Sequence, residues 1–272
     1  MKDLLDSWKS LDSRLSTARR VCILTDFDGT LVPLGPSPEL SNLPSPVLGV
    51  LESLSRHPLV TVGIVSGRAL SDLVHRINLD GIWYVGNHGF EIRSPGGREL
   101  RYYSPEEILL LDSARDQLRL ATADIPGVLL EHKGPIVAVH YRAVAPDRVS
   151  EVQRAFQEVL RSWSPRLMMS PGNMVLEIRL RSNCNKGMAV RQIRRELAAG
   201  CLVLYFGDDL TDRDVFREIR RVGVSIEVGA ADSTHPDYSL RDPGAVLEAL
   251  QRMEERLYRR SGFPRMQRGQ PY

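Results

Sequence analysis

Polar residues follow the apolar runs of this sequence at four places, and their types and spacing could do chemistry. The run ILT leads into two aspartates two residues apart, followed at once by a glycine and a threonine. Further along the chain come a Ser-Gly-Arg triplet, a lysine at a helix start and a group of three acids. The candidate residues are Asp26, Asp28 and Thr30; Ser66, Gly67 and Arg68; Lys186; and Asp208, Asp209 and Asp212.

Carboxylates gathered in one place repel one another unless a cation neutralises them. Oxygen ligands of this kind, completed by water, suit Mg²⁺. A carboxylate can also attack phosphorus to form an aspartyl-phosphate, while a second acid protonates the leaving oxygen and later activates water. A serine hydroxyl and a lysine ammonium can hold the phosphoryl oxygens. These residue types therefore predict a metal-assisted phosphatase.

The scaffold is predicted by short β-branched runs that alternate with helical patterns at both ends of the chain. Examples of the strand runs are VCILTDF, LVTVGIVSG and CLVLYF. Strand–helix–strand units predict an α/β fold with a doubly wound, mostly parallel sheet covered on both faces. Ligands bind at the carboxyl ends of the strands in such a sheet, so we expect the four polar clusters to share one rim.

The middle of the chain, residues 104–180, has a different pattern. Two helical stretches are interleaved with paired strands: VLLEHK with IVAVHYRAV, and a second pair that turns at residues 171–173. Helices combined with paired antiparallel strands form an α+β layer. The sequence therefore predicts a core domain made of residues 1–103 and 181–272, interrupted by an α+β domain at 104–180.

Composition limits the class of protein. The chain has 272 residues, of which 42% are hydrophobic, and a net charge of +2. These values predict a folded core and do not favour a nucleic-acid partner. Cysteines without CxxC spacing suit a reducing compartment, the charged first residues do not resemble a signal peptide, and the sequence predicts no membrane span. We expect a soluble cytoplasmic protein whose basic end is a solvated last helix and a frayed tail.

The stretch Asp26-Phe27-Asp28-Gly29-Thr30 resembles the DxDGT signature of the haloacid dehalogenase-like phosphatases. Ser66, Lys186 and GDDLTD at 207–212 resemble the three later motifs of that superfamily, in the same order. The resemblance implies that Asp26 is the nucleophile and Asp28 the general acid/base. It also implies that Lys186 steadies the phosphoaspartate.

The same resemblance implies a phosphate site and a metal site. Thr30 and Ser66 would bind phosphate, and Gly67 and Arg68 begin the segment that leads into a helix, whose N-terminus is itself a phosphate site. Mg²⁺ would be held by Asp26, Asp208 and the main-chain carbonyl of Asp28. The remaining two acids of the GDDLTD stretch, Asp209 and Asp212, would lie near the metal.

Four further stretches, GNHGFE, EHKGPIVAVHYR, VLEIR and GDDLTDRDVF, resemble the trehalose-6-phosphate phosphatases. This implies that the inserted domain is a cap that closes over the core and binds the sugar, and that trehalose 6-phosphate and water give trehalose and phosphate. A trehalose-6-phosphate synthase is then a candidate partner. The implied substrate-binding residues are His88, Glu131, Lys133, His140, Arg142 and Glu177.

Three positions depart from that family's pattern: Leu180 stands in place of proline, Arg213 in place of an acid, and Asn87 in place of leucine or serine. These departures bear on the sugar and not on the phosphatase chemistry. Glucosyl- or mannosyl-3-phosphoglycerate and sucrose 6-phosphate are therefore alternative substrates. A different class is a non-catalytic sugar-phosphate sensor, although a pure binder does not need the second acid, Asp28.

Structural roles are the alternatives for single residues. Ser66 could be a helix N-cap, and Asp209 and Asp212 could be first-turn acids that the helix dipole favours. His88 and His140 flank apolar strand residues, where a histidine is often structural.

Overall fold

The computed structural model of this chain describes residues 2–35, 41–172, 174–229 and 236–264. These residues fold into two compact units, one formed by those up to residue 100 and from residue 184 onward, and the other by those between 101 and 183. The predicted turn at residues 171–173 lies partly outside the described residues, because Asn173 is not described and the strand before it extends to Gly172. The predicted C-terminal tail beyond residue 264 also lies outside them. None of the helices in the described parts has the length and apolar character needed to cross a membrane.

The first unit contains most of the predicted strand and helix alternation. Its elements, with β6 ending at the boundary, are β1 Lys2–Asp3, α1 Trp8–Thr17, β2 Val21–Thr25, α2 Ser45–Arg56, β3 Val60–Val65, α3 Leu70–Ile77, β4 Trp83–Gly86, β5 Glu91–Arg93, β6 Glu99–Arg101, α6 Lys186–Glu196, β11 Leu202–Gly207, α7 Arg213–Ile219, β12 Gly223–Val228, β13 Tyr238–Leu240 and α8 Pro243–Ser261. Three of these were not predicted: α1, β1 and β13.

One sheet of described strands runs through this unit in the order β1-β13-β12-β11-β2-β3-β4-β5-β6. The pairs from β1 to β4 are parallel, and β5 joins β4 antiparallel. Strands β11, β2 and β3 are therefore neighbours that point the same way. The prediction of a mostly parallel α/β sheet is confirmed.

Strand β2 shows why the sheet is covered on both faces. Its residues are all buried, and successive side chains point to opposite faces. Val21 and Ile23 pack in a core cluster with residues of α1, α2, α3 and α8. Cys22 and Leu24 pack in a second cluster with residues of α6 and α7. Polar groups can therefore gather only where the strands end, at the rim of the sheet.

The second unit combines α-helices with an antiparallel sheet, in the part of the chain where the sequence predicts an α+β domain at 104–180. It contains α4 Pro105–Ala121, β7 Leu129–His132, β8 Ile136–His140, α5 Val149–Trp163, β9 Leu167–Gly172 and β10 Val175–Leu180. Its strands form an antiparallel sheet in the order β7-β8-β10-β9. Ser104 begins α4 with a capping box, since its hydroxyl accepts from the Glu107 N–H and the Glu107 carboxylate accepts from the Ser104 N–H.

Candidate active site

Two neighbouring strand ends bring the first and last acid clusters together. Asp26 directly follows β2, and its N–H donates to the Phe206 carbonyl of β11 at 2.8 Å. Asp208 directly follows β11. Gly29 has φ +78°, and a Cβ placed there would lie 1.9 Å from Asp208 Oδ2, so the loop after β2 passes Asp208 where a side chain cannot fit.

Three carboxylates converge at this rim. Oxygens of Asp26, Asp208 and Asp212 lie within 4.8 Å of one another. The Thr30 hydroxyl donates to Asp208 Oδ1 at 2.9 Å, although the two residues are 178 positions apart in the chain. Distant segments therefore share one site, as the parallel sheet predicts.

Lys186, the first residue of α6, supplies a positive charge to this cluster. Its side chain is 2% exposed, and Nζ lies 2.7 Å from Asp212 Oδ1 and 3.0 Å from Asp26 Oδ1. Burial alone would lower the pKa of the ammonium, but Asp212 and Asp26 outweigh that effect and raise the pKa above its ordinary value. Lys186 is therefore a permanent cation bridging two carboxylates. Asn185 fixes the start of its helix by accepting from the Met188 N–H at 2.7 Å.

The carboxylates outnumber the ammonium, and two of them have raised pKa values. Burial, chiefly, raises the pKa of Asp26 well above its usual range, against the pull of Lys186, and Asp212 and Asp208 add to the rise. Burial likewise raises the pKa of Asp208 to about 6, although the hydrogen bond from Thr30 opposes the shift. The cluster has three carboxyl groups and one ammonium. It therefore offers the oxygen ligands that a divalent cation such as Mg²⁺ prefers.

Tyr205, a residue of β11 that was not predicted from the sequence as a site residue, completes the cluster. It is fully buried, and its hydroxyl donates to Asp212 Oδ1 at 2.6 Å. Burial and the nearby Asp212 raise the pKa of the phenol well above its ordinary value, so the hydroxyl keeps its proton. The signal in the sequence is a tyrosine inside an aliphatic strand, because a buried tyrosine hydroxyl usually has a hydrogen-bond partner.

The Asp28 carboxylate pairs with Arg68 and not with the lysine of this cluster. Arg68 Nε and Nη2 each donate to one Asp28 oxygen at 2.6 Å, and Nη1 donates to Asp72 at 2.9 Å. The guanidinium is 8% exposed and lies 5.2 Å from the centre of the Phe27 ring. The two carboxylates outweigh the effect of burial and raise the pKa of Arg68. Asp72 was not predicted; its signal is a position four residues after Arg68 and four before Arg76, with which it pairs along α3.

Ser66, Gly67 and His88 lie together at the ends of β3 and β4. Ser66 is buried, its hydroxyl accepts from the Arg68 N–H at 3.2 Å, and its carbonyl accepts from the His88 N–H at 3.0 Å. A Cβ on Gly67 would lie 2.5 Å from the His88 ring. The N-cap of α3 is Ala69, so the alternative that Ser66 serves only as its N-cap is wrong.

Asp209 begins a short 3-10 helix that spans Leu210–Asp212. It is exposed, and its Oδ1 accepts from the Leu210 N–H at 2.6 Å. Its own N–H donates to Asp212 Oδ2 at 3.0 Å. The structure therefore places the Asp209 carboxylate at the helix start, whereas Asp212 faces the buried cluster.

In the inserted unit, four predicted sugar-binding residues share one face of the sheet. Glu131 of β7, Ala138 of β8 and Glu177 of β10 are paired across the strands, and residues two positions away keep the same face. Lys133 Nζ lies 3.4 Å from Glu131 and 3.6 Å from Glu177, and His140 Nε2 lies 2.8 Å from Glu131. The predicted Arg142, just past the end of β8, is exposed.

The two glutamates of this face have opposite pKa shifts. Burial raises the pKa of Glu177 despite Lys133. Burial also acts on Glu131, but hydrogen bonds and charge from His140 and Lys133 prevail and lower its pKa. The face therefore offers a charged, partly exposed acid, a half-buried cation and a nearly buried acid, which are strong hydrogen-bond partners for sugar hydroxyls.

The fold is that of the haloacid dehalogenase-like hydrolases. A solved member from Bacteroides thetaiotaomicron is 14% identical and covers 86% of this chain and 99% of that structure, with a TM-score of 0.62. The C-terminal domain of the Candida albicans trehalose-6-phosphate phosphatase is 22% identical. That match covers 91% of this chain and 96% of the solved domain, with a TM-score of 0.79. At these identities the likeness concerns the fold.

The sequence comparison is more specific. Residues 24–243 match the family model described as trehalose-phosphatase, and the chain belongs to that family. A trehalose-phosphate phosphatase of Mycobacterium marinum is 34% identical over 252 residues. The alignment covers 89% of this chain but 63% of that relative. The chain therefore spans less than two thirds of the length of the curated relative.

Proposed function

We propose that this chain is a Mg²⁺-dependent phosphohydrolase that removes phosphate from trehalose 6-phosphate through an aspartyl-phosphate on Asp26. The observation that carries the proposal is the buried Asp26–Lys186 contact of 3.0 Å beside Asp208 and Asp212. Membership of the trehalose-phosphatase family supports the substrate. The acidic and basic face of the inserted unit supports a polyhydroxy ligand.

In the first half of the proposed reaction, an Asp26 carboxylate oxygen attacks phosphorus and the bond from phosphorus to the sugar oxygen breaks. Asp28 gives a proton to that leaving oxygen. Both Asp28 oxygens are held by Arg68 at 2.6 Å, so at least one must be released for this transfer. Lys186 keeps positive charge beside Asp26 as negative charge moves onto the phosphoryl group.

In the second half, Asp28 takes a proton from water as the water attacks phosphorus. The bond between phosphorus and the Asp26 oxygen breaks, which frees phosphate and restores the carboxylate. The Thr30 and Ser66 hydroxyls are the proposed phosphate-binding groups. Both are buried near the strand ends. The Thr30 hydroxyl donates to Asp208 Oδ1, so it must turn to donate to a phosphoryl oxygen.

The metal would be held by Asp26 and Asp208 with the main-chain carbonyl of Asp28, and Asp212 would support it at longer range. When bound, Mg²⁺ would neutralise the carboxylates and withdraw charge from the phosphoryl oxygens. Asp212 Oδ1 accepts from Lys186 and Tyr205, and Oδ2 accepts from the Asp209 N–H, so both oxygens already have donors, which suits a supporting role. Asp209 is engaged at its helix start and is a weaker candidate ligand.

The test is phosphate release from a panel of trehalose 6-phosphate, sucrose 6-phosphate and glucosyl-3-phosphoglycerate, with Mg²⁺ and with EDTA. We expect Mg²⁺-dependent release, highest with trehalose 6-phosphate. Asp26→Asn should abolish turnover while its circular dichroism stays native, and Asp116→Asn, an exposed acid of α4, serves as the control. Full activity in Asp26→Asn would contradict the mechanism, and release from another substrate alone would contradict the sugar.

A further inference from the structure

Tyr205 carries a buried hydroxyl that the proposed reaction does not use. The side chain is the largest fully buried one among the described residues, and it comes from the central strand β11. Its ring packs edge-on against Phe216 at 6.0 Å between ring centres. The phenol is therefore fixed by packing, and its one polar atom reaches the acid cluster.

Asp212 is the residue that this hydroxyl contacts, and the carboxylate is held by three donors. Oδ1 accepts from Tyr205 at 2.6 Å and from Lys186 Nζ at 2.7 Å. Oδ2 accepts from the Asp209 N–H at 3.0 Å. A Cβ placed on Gly207 would lie 2.4 Å from the Asp212 carboxyl carbon, so the backbone also closes off one side. The carboxylate cannot rotate without losing a hydrogen bond.

Lys186 connects this arrangement to the reacting group. Its ammonium lies between Asp212 Oδ1 and Asp26 Oδ1, at 2.7 and 3.0 Å. We propose that Tyr205 is a positioning residue: its hydroxyl fixes Asp212 and shares Oδ1, so that Lys186 remains directed at Asp26. The inference rests on the proposed function, in which Asp26 receives the phosphoryl group.

Removal of the hydroxyl alters the balance between the two carboxylates. Without Tyr205 as a second donor, Asp212 Oδ1 keeps its full charge for Lys186 in a site that excludes water, where charge interactions are strong. The ammonium is then drawn toward Asp212 and away from Asp26. Substrate binding does not involve this contact, so the loss should appear in turnover and not in substrate affinity.

Tyr205→Phe tests this role, and Tyr84→Phe is the matched control. Tyr84 is also a buried strand tyrosine, and its hydroxyl donates to the Leu79 carbonyl at 2.8 Å, away from the acid cluster. Tyr205→Phe loses the hydrogen bond to Asp212, and Tyr84→Phe loses two, because the Tyr84 hydroxyl also accepts from the Leu79 N–H at 3.0 Å. With trehalose 6-phosphate and saturating Mg²⁺, we expect kcat of Tyr205→Phe to fall at least about tenfold with KM within about twofold, as for other residues that orient a catalytic group. Tyr84→Phe should retain kcat.

The outcomes separate this inference from the proposed function. Unchanged kcat in Tyr205→Phe, or an equal fall in both variants, would overturn the positioning role. If the wild-type protein releases no phosphate, the proposed function fails. The positioning role of Tyr205 is then tested by the NMR signal of the ¹⁵Nζ-labelled Lys186 ammonium. A shift of that NMR signal in Tyr205→Phe, absent in Tyr84→Phe, would support the positioning of Lys186 by Tyr205; an unshifted signal would overturn it.

Discussion

Replacement of Asp208 by asparagine should stabilise the metal-free protein at alkaline pH. The pKa of Asp208 rises from 3.8 to about 6 on folding, mainly through burial. A raised carboxyl pKa means that the folded state binds the proton more tightly than the unfolded state. The contribution of Asp208 to stability is therefore highest below pH 3.8 and falls as the pH rises through about 6. The asparagine side chain would carry no charge, and its oxygen can still accept from Thr30.

The magnitude follows from the size of the shift. About two pKa units at 1.36 kcal/mol each correspond to a loss of about 3 kcal/mol in the wild-type free energy of unfolding at pH 8. At pH 4.5 the same relation gives a loss of about 1 kcal/mol. At roughly 2–4 °C per kcal/mol, Asp208→Asn should melt about 6–12 °C above wild type at pH 8, with a smaller difference at pH 4.5.

Differential scanning calorimetry in EDTA at the two pH values measures this difference. Adding Mg²⁺ at pH 8 should raise the Tm of the wild type and should have a much smaller effect on Asp208→Asn, because the variant lacks a ligand. Glu248→Gln, which removes an exposed carboxylate of α8, is the control and should change stability by less than about 0.5 kcal/mol. If Asp208→Asn melts at or below the wild-type temperature at pH 8 in EDTA, burial of the ionised Asp208 carboxylate does not destabilise the folded protein.

Three further predictions concern other parts of the proposed site. Arg68→Lys loses the two-pronged contact with Asp28, which should lower the free energy of unfolding by about 2 kcal/mol, below the value for a fully buried pair because the Asp28 side chain is 30% exposed; chemical denaturation measures it, and an unchanged midpoint would refute it. Gly29→Ala places a Cβ against Asp208, so the affinity for Mg²⁺, measured by titration calorimetry, should fall at least about tenfold. Wild-type affinity would contradict the close approach of Gly29 to Asp208. Glu177→Gln should raise KM for trehalose 6-phosphate with little change in kcat. Stability should also change little, because burial already raises the pKa of Glu177. An unchanged KM would argue against sugar contact.

The inserted unit illustrates how strand alternation alone can place a group of residues. Glu131 and Lys133 are two positions apart, and their side chains share a sheet face whatever the packing around them. The pairing of β7 with β8 and of β8 with β10, which brings Glu177 beside them, depends on register. The sequence predicted the hairpins, but the register and the opposite pKa shifts of Glu131 and Glu177 follow from burial in the folded sheet.

Elements with weak periodic signals were missed for a related reason. Strands β1 and β13 have two and three residues, too few to show an alternating pattern, and they pair in parallel with partners far along the chain. Helix α1 is rich in charged and polar residues, and its buried face consists of Leu11 and Leu15. Such elements are stabilised by packing against the rest of the core and not by local propensity.

The sequence by itself determined the α/β fold and predicted Asp26, Ser66 and Asp208 after strands and Lys186 at a helix start, because hydrophobic periodicity is a local property. Only the tertiary structure decided how these groups pair. It assigned both oxygens of Asp28 to Arg68 and gave Asp212 Oδ1 two donors, one of them Tyr205. Hydrogen-bond partners and burial depend on contacts between distant segments, and these contacts form only when the sheet is assembled.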